Sequence, residues 1–246
     1  MGDTTGFWRA PDCSTLTQVN SFLRRLWQTA EATAMKLDDM RVHYDRDELR
    51  REDLRADPFE QFAAWVHEAC ESDLVEPNAM TLATAGADGR PTQRTVLLKG
   101  FDERGFVFYT NLESRKARQI SENANVSLLF PWLALHRQVA INGVAERVPV
   151  SEALVYFVTR PFGSQIGAWA SPQSQVVSAR ALLEMKWEEA KRKFQEGRVP
   201  MPSFWGGFRV VPRDIEFWQG RGHRLHDRFL YKRLENETWN LERLAP

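Results

Sequence analysis

The chain has 246 residues, 43% of them hydrophobic, which suffices for one large domain or a domain with an extension and argues against disorder. Thirty-three basic side chains balance thirty-three acidic ones, so no bulk field recruits nucleic acid or an anionic membrane, and any anion site has to be local. Cys13 and Cys70 are too few for a disulfide framework and lack metal-ligand spacing. No apolar run nears the roughly 20 residues of a membrane span, and the first residues show no leader pattern, so a cytoplasmic protein is expected.

Residues 1–57 are polar and rich in Arg and Asp. An amphipathic stretch at 22–34 predicts a helix, followed by an extended arm through Arg41, Tyr44 and the charged run 45–57. Asp57-Pro58 predicts a helix start, an N-cap acceptor followed by proline in the first turn. Phe59, Phe62, Ala63, Val66 and Cys70 recur at helical spacing and are expected to form one buried stripe, closed at Glu76-Pro77. Strand-like segments at 79–85 and 93–100 flank the turn AGADGRP and predict a hairpin. A second turn, Asp102 to Gly105, leads into FVFYT. Residues 113–123 read as a short helix between strands, with VSLLF and RQVAINGVAERV as the strands that follow.

Residues 151–160 predict a helix that stops at Pro161. A longer helix at 178–195 carries Leu183, Trp187, Ala190 and Phe194 on one face. After the linker GRVPMPS, four short strands are expected: GGFRVV, IEFWQ, RFLYKR and TWNLERL. The connections are too short for a parallel βαβ sheet, so the pattern predicts an α+β protein, an antiparallel barrel with peripheral helices.

GxGxxG, GxxxxGK[ST], HExxH, CxxC and GxSxG are all absent, and no metal site is expected. What stands out is cationic and aromatic residues at strand ends and loops. Arg94 and Lys99 bracket an apolar strand, and alternation places them on opposite faces, where they could serve different ligands. Tyr109, Thr110, Arg115 and Lys116 mark a strand running into a helix start, an arrangement that favours a phosphate. Tyr156 and Arg160 are four apart on a helix, with Ser164 just beyond Pro161. In HRLHDR, Arg224, His226 and Arg228 crowd together near Trp218. Each of these, taken alone, also fits solvated charges or core packing.

Taken in order, RTVLLKG, FYTN-x-x-SRK, LFPW, RQV, RP-x-x-SQIGAW, PSFWGG, EFWQG-x-x-HRLHDR and the terminal RLAP resemble the pyridoxine/pyridoxamine 5′-phosphate oxidase family from about Arg41 to Pro246. The resemblance implies a split β-barrel homodimer with peripheral helices and one FMN at each end of the interface, both subunits contributing. It divides the chain into an extension and lid arm (1–57), an FMN-binding domain (58–200) and a segment completing barrel, site and interface (201–246). It places Arg94, Arg115, Lys116 and Ser174 at the FMN phosphate. Thr95, Val96, Leu97, Leu98, Lys99, Tyr109, Thr110, Gln138, Gln173, Trp218 and Arg228 would line the flavin and its ribityl chain. Lys99, Tyr156, Arg160 and Ser164 would hold the substrate phosphate, with Arg224, Leu225 and His226 over the pyridine and Arg224 and His226 acting in catalysis. Arg41 and Tyr44 would close the site as a lid.

The implied reaction oxidises pyridoxine or pyridoxamine 5′-phosphate to pyridoxal 5′-phosphate, with O2 as acceptor. An FMN-binding split-barrel protein without this activity is the alternative. It would need the flavin segments but not Tyr156, Arg160, Ser164 and the HRLHDR tail, all of which are present.

Overall fold

A computed structural model describes Tyr44, residues 48–194 and residues 199–246, all within one compact unit, Tyr44–Pro246. The helix expected at 22–34 and Arg41 lie outside the described residues. The first described helix, α1 (Pro58–Glu71), begins as its sequence predicts: the Asp57 carboxylate accepts the Phe59 N–H at 2.8 Å and Pro58 fills the first turn. Its buried face is Phe59, Phe62, Trp65 and Ala69, whereas Ala63 and Cys70 are exposed and Val66 is half-buried. The expected stripe is therefore corrected by about one residue's rotation, because turning Trp65 inward removes more apolar surface from water. Phe62 is fully buried, with ring centroids of Phe101, Phe106 and Phe130 at 4.9, 5.0 and 5.0 Å.

The remaining elements follow in chain order. The strands β1 (Ala79–Ala85) and β2 (Pro91–Leu97) form the expected hairpin, with Leu82 opposite Arg94. Next come β3 (Gly100–Asp102), β4 (Gly105–Asn111), α2 (Arg115–Glu122), β5 (Asn125–Trp132) and β6 (Arg137–Arg147). The helices α3 (Val150–Thr159), α4 (Phe162–Ala170) and α5 (Arg180–Lys193) precede β7 (Trp205–Gln219), β8 (Asp227–Arg233) and β9 (Trp239–Leu244). The nine strands make one antiparallel sheet in the order β2-β1-β5-β6-β7-β4-β3, with β8 and β9 attached beyond β7. This is the α+β half-barrel with flanking helices that the sequence predicts.

Two strands expected separately, GGFRVV and IEFWQ, are one continuous strand, β7. Proline removes a ladder hydrogen bond, and here a bulge absorbs it: Gly143 faces Pro212 and Asn142 faces Asp214, leaving Arg213 as the extra residue. One edge of β7 follows β6 from Phe208 to Gln219. The other is shared, with β4 pairing from Trp205 to Val210 and β8 from Asp214 to Gln219. This sharing splits the sheet.

Pro161 ends α3, as expected, but also begins α4, a helix the sequence reading did not foresee. Ser164 thus sits in a first helical turn. Arg160 caps α3 with extended backbone (φ −69°, ψ 146°), so it does not share a helical face with Tyr156 as expected. Helices α3 to α5 pack over β4 and β7 through Val107, Phe157, Ile166, Ala190 and Trp205, with Trp187 and Phe194 alongside. Near Arg224 the backbone forms a 3-10 turn, Gly222–Arg224, with positive φ at His223 (57°) and Arg224 (61°). Arg224 and His226 therefore do not share the face of an extended strand. Among the described residues no helix is long and apolar enough to cross a membrane, and no side-chain group could hold a metal ion.

Candidate functional site

The fold brings β2, β4, α2, α3 and α4 around a cavity of about 450 Å³. Eleven of the expected residues line it. Thr95, Val96, Leu97 and Lys99 come from the end of β2, Tyr109 and Thr110 from β4, and Lys116 from α2. Tyr156, Arg160 and Ser164 come from the α3–α4 corner, and Gln173 from the loop after α4. Asn111, Ser171 and Trp205 also line it, and the sequence reading assigned them nothing. Leu98 is corrected: its side chain is buried in the main core and its N–H is donated to the Asn78 carbonyl.

Two cationic groups occupy this cavity in different ways. On one side, the buried Lys116 ammonium donates to Thr110 Oγ1 (3.2 Å) and Gln173 Oε1 (3.0 Å), both neutral. Burial, and then the charge of Arg94, push its pKa down to about 8. Arg94 donates to the Leu82 carbonyl and to Thr84 Oγ1, again neutral oxygens, and burial followed by the charge of Arg115 lowers its own pKa. Lys116 and Arg94, like charges held by neutral oxygens, with the charge of Arg115 also acting on Arg94, are what a bound phosphate would stabilise. Ser114 caps α2, accepting the Ala117 N–H at 3.4 Å, and Lys116 projects into the cavity from the first turn of that helix.

On the other side stands Arg160. Its guanidinium lies over the Trp205 ring (5.1 Å) and the Phe157 ring (5.5 Å), and among the described residues its buried Nη1 has no hydrogen-bond partner. A buried guanidinium nitrogen without an acceptor is costly unless a ligand supplies one. Tyr156 stacks on Tyr109 at 4.2 Å, and burial raises the Tyr109 pKa.

Other expected residues gather elsewhere. Gln138, Trp218 and Arg228 form a row across β6, β7 and β8, directly paired in register. The Trp218 and His226 rings are 4.6 Å apart, and the Tyr44 ring meets His136, His226 and Trp218 edge-on at 4.8, 5.5 and 6.0 Å. His226 Nδ1 accepts the Arg221 N–H at 3.1 Å. Burial, then the charge of Arg224, lower the His226 pKa. Arg228 forks onto Glu216 at 2.7 and 3.0 Å and donates to the Ala245 carbonyl, so its guanidinium is committed to the protein. Arg224 and Leu225 are exposed, and Ser174 is exposed with φ 70°.

None of these second-group residues lines the cavity. Trp205 and Trp218 lie near opposite ends of β7, about 40 Å apart along the strand. A single chain therefore presents two half-sites, one of cations and one of aromatics.

A cation-lined cavity and, elsewhere on the chain, a row of aromatic residues, on a split antiparallel half-barrel, define an FMN-binding split-barrel protein. Residues 66–194 match the family described as pyridoxamine 5′-phosphate oxidase, and residues 205–246 match the pyridoxine 5′-phosphate oxidase C-terminal dimerisation region. The chain belongs to the pyridoxine/pyridoxamine 5′-phosphate oxidase family. It is 58% identical over 212 residues to the pyridoxine/pyridoxamine 5′-phosphate oxidase of Rippkaea orientalis, covering 86% of this chain and 100% of that one. It is also 58% identical to the oxidase of Escherichia fergusonii, covering 84% of this chain and 94% of that one. Among solved structures, PhzG from Burkholderia lata 383 in complex with tetrahydrophenazine-1-carboxylic acid aligns with a TM-score of 0.78 at 30% identity, covering 83% of this chain and all of PhzG.

Proposed function

We propose that this protein is an FMN-dependent oxidase that converts pyridoxine 5′-phosphate and pyridoxamine 5′-phosphate to pyridoxal 5′-phosphate. Dioxygen is the acceptor, hydrogen peroxide is released, and the amine substrate also consumes water and yields ammonia. The observation that carries this reading is the pair of separate cations in one cavity, Lys116 and Arg160, the first with Arg94 near it. Lys116 with Arg94 suits the FMN phosphate, and Arg160, with its buried Nη1 awaiting an acceptor, suits a second phosphate. A protein that bound only FMN would have no use for the second.

When bound, FMN supplies a two-electron acceptor that dioxygen can regenerate. The chain's own residues bind and orient. Arg160, Lys99, Tyr156 and Ser164, all lining the cavity, hold the substrate phosphate. Phosphate held at one end fixes the pyridine as a lever, so the reacting carbon is positioned by groups that never touch it. The aromatic half-site comes from a second copy of the chain, since the two halves of β7 cannot meet within one. Trp218 and Gln138 then face the flavin, His226 presents Nε2 to the substrate ring, and Tyr44 covers the opening against water. The homodimer is supported by the match of residues 205–246 to a dimerisation region. A cytoplasmic location belongs to the same proposal, supported by the free, exposed Cys70.

The test is to purify the protein with FMN, record the flavin spectrum, and measure peroxide formed from pyridoxine 5′-phosphate. Arg160→Ala should keep its yellow colour while KM for the phosphorylated substrate rises about tenfold or more, the worth of a charge-assisted bond. A colourless wild type, or an Arg160→Ala variant that loses FMN with KM unchanged, would overturn the assignment.

A further inference from the structure

Of the described cations that line the cavity, Arg160 is the one that lies over aromatic rings. It follows the last turn of α3, and its long side chain has four rotatable bonds. Two features restrain it. Gln165, in α4, donates from Nε2 to the carbonyls of Phe157 (3.2 Å) and Arg160 (2.9 Å), fixing the corner between the helices. Beneath the side chain lies Trp205, 94% buried, whose ring is nearly parallel to Tyr109 (3°, 5.3 Å) and to Tyr156 (14°, 6.1 Å). Gly207 makes this deck possible: a Cβ there would meet Tyr109 Cδ1 at 2.6 Å, so only glycine lets the tyrosine ring lie flat across β7.

We propose that Trp205 is a positioning residue for the substrate phosphate, holding Arg160 by the face of its indole. The inference rests on the oxidase reading above and deepens it. A carboxylate could also orient an arginine, but it would consume the N–H donors the phosphate needs and would repel the phosphate itself. An aromatic face attracts the guanidinium through its quadrupole and takes no donor. The result is a fixed cation with Nη1 still available, which is the arrangement seen. Desolvation strengthens such a contact.

The experiment compares Trp205→Leu and Trp205→Phe as FMN-loaded enzymes. Trp205→Leu should raise KM for pyridoxine 5′-phosphate by about tenfold to 30-fold with kcat within about twofold. The constant for competitive inhibition by inorganic phosphate should rise by the same factor. Trp205→Phe should recover most of the loss, and turnover of unphosphorylated pyridoxine should not respond. A Trp205→Leu enzyme that loses melting temperature or FMN while KM and phosphate inhibition stay at wild-type values would reduce Trp205 to a packing residue. If leucine prevents folding, fluorinated tryptophan supplied to the wild type and to Trp205→Phe keeps the shape and weakens the quadrupole. KM should then rise only where Trp205 is present, and an equal response in both would overturn the proposal. Should the wild type fail to oxidise pyridoxine 5′-phosphate at all, binding of inorganic phosphate measured by titration still separates this inference from the oxidase reading.

Discussion

Lys116 and Gln173 meet inside the cavity, Nζ to Oε1 at 3.0 Å, although α2 and the loop after α4 are far apart in the chain. The ammonium there titrates at about 8, held down first by burial and then by Arg94. A phosphate dianion reverses that penalty, so FMN binding should take up a proton near this pH. Affinity for FMN should then fall above pH 8, by at most about tenfold per pH unit. The sign for folding is opposite. The folded pKa lies below the ordinary 10.5, so the unfolded chain holds more protons between about pH 8 and 10.5, and this group makes the FMN-free protein more stable as pH rises through that window. Fluorescence titration of FMN into wild type and Lys116→Met across pH 7 to 10 checks this; parallel curves for the two would refute it.

Gly220 supports Tyr44. A Cβ at Gly220 would stand 2.6 Å from Tyr44 Cδ1 and 3.1 Å from His136 Cβ. Gly220→Ala should therefore push the tyrosine off its aromatic cup while the Gly220 N–H still reaches the His136 carbonyl (2.7 Å in the wild type). The expected outcome is retained FMN and dimer with a drop in kcat/KM on the order of tenfold. Wild-type steady-state kinetics in this variant would show that the position of Tyr44 is immaterial to turnover.

The turn at Gly222–Arg224 presents Arg224 and His226 through a bent backbone, and the Arg221 N–H fixes the Nδ1 side of the imidazole. Arg224→Met and His226→Asn should leave the colour and the dimer intact. Anaerobic stopped-flow with pyridoxine 5′-phosphate should show flavin reduction slowed on the order of 100-fold, because orientation is lost. The His226 pKa is displaced below 6.5 by burial and by Arg224, so the imidazole stays neutral at pH 7. The wild-type rate should accordingly lack an acidic limb between pH 6.5 and 8. Reduction at wild-type speed in both variants would leave these residues a purely structural role.

Much of the fold was legible because turn chemistry marks the strands. The hairpin of β1 and β2 has its sequence boundaries within a few residues, and Asp57-Pro58 begins α1 where expected. The cavity cations were legible for a related reason: isolated Arg and Lys at strand ends, in a neutral chain, need a local anion. Other features leave no local trace. The α4 sequence FGSQIGAWA has two glycines and no polar stripe, and its helix depends on packing Ile166 into the cluster that holds Val107 of β4 and Trp205 of β7. Positive φ at His223 and Arg224 cannot be read from residues without a glycine preference. Nor can one of nine tryptophans be singled out as the seat of Arg160 until the register of β7 places it there.

The continuity of β7 has a genetic consequence. Because one strand carries Trp205 at its start and Trp218 near its end, each copy in the proposed dimer donates its cationic half to one reaction centre and its aromatic half to the other. Two differently crippled alleles, such as Arg160→Ala and Arg224→Met, are then complementary when co-expressed. In a mixed pair one centre inherits both defects and the other inherits neither. Random assortment makes half of the pairs mixed, so at substrate well below KM activity should rise to about one quarter of the wild-type level, above the roughly one tenth and one hundredth expected of Arg160→Ala and Arg224→Met alone.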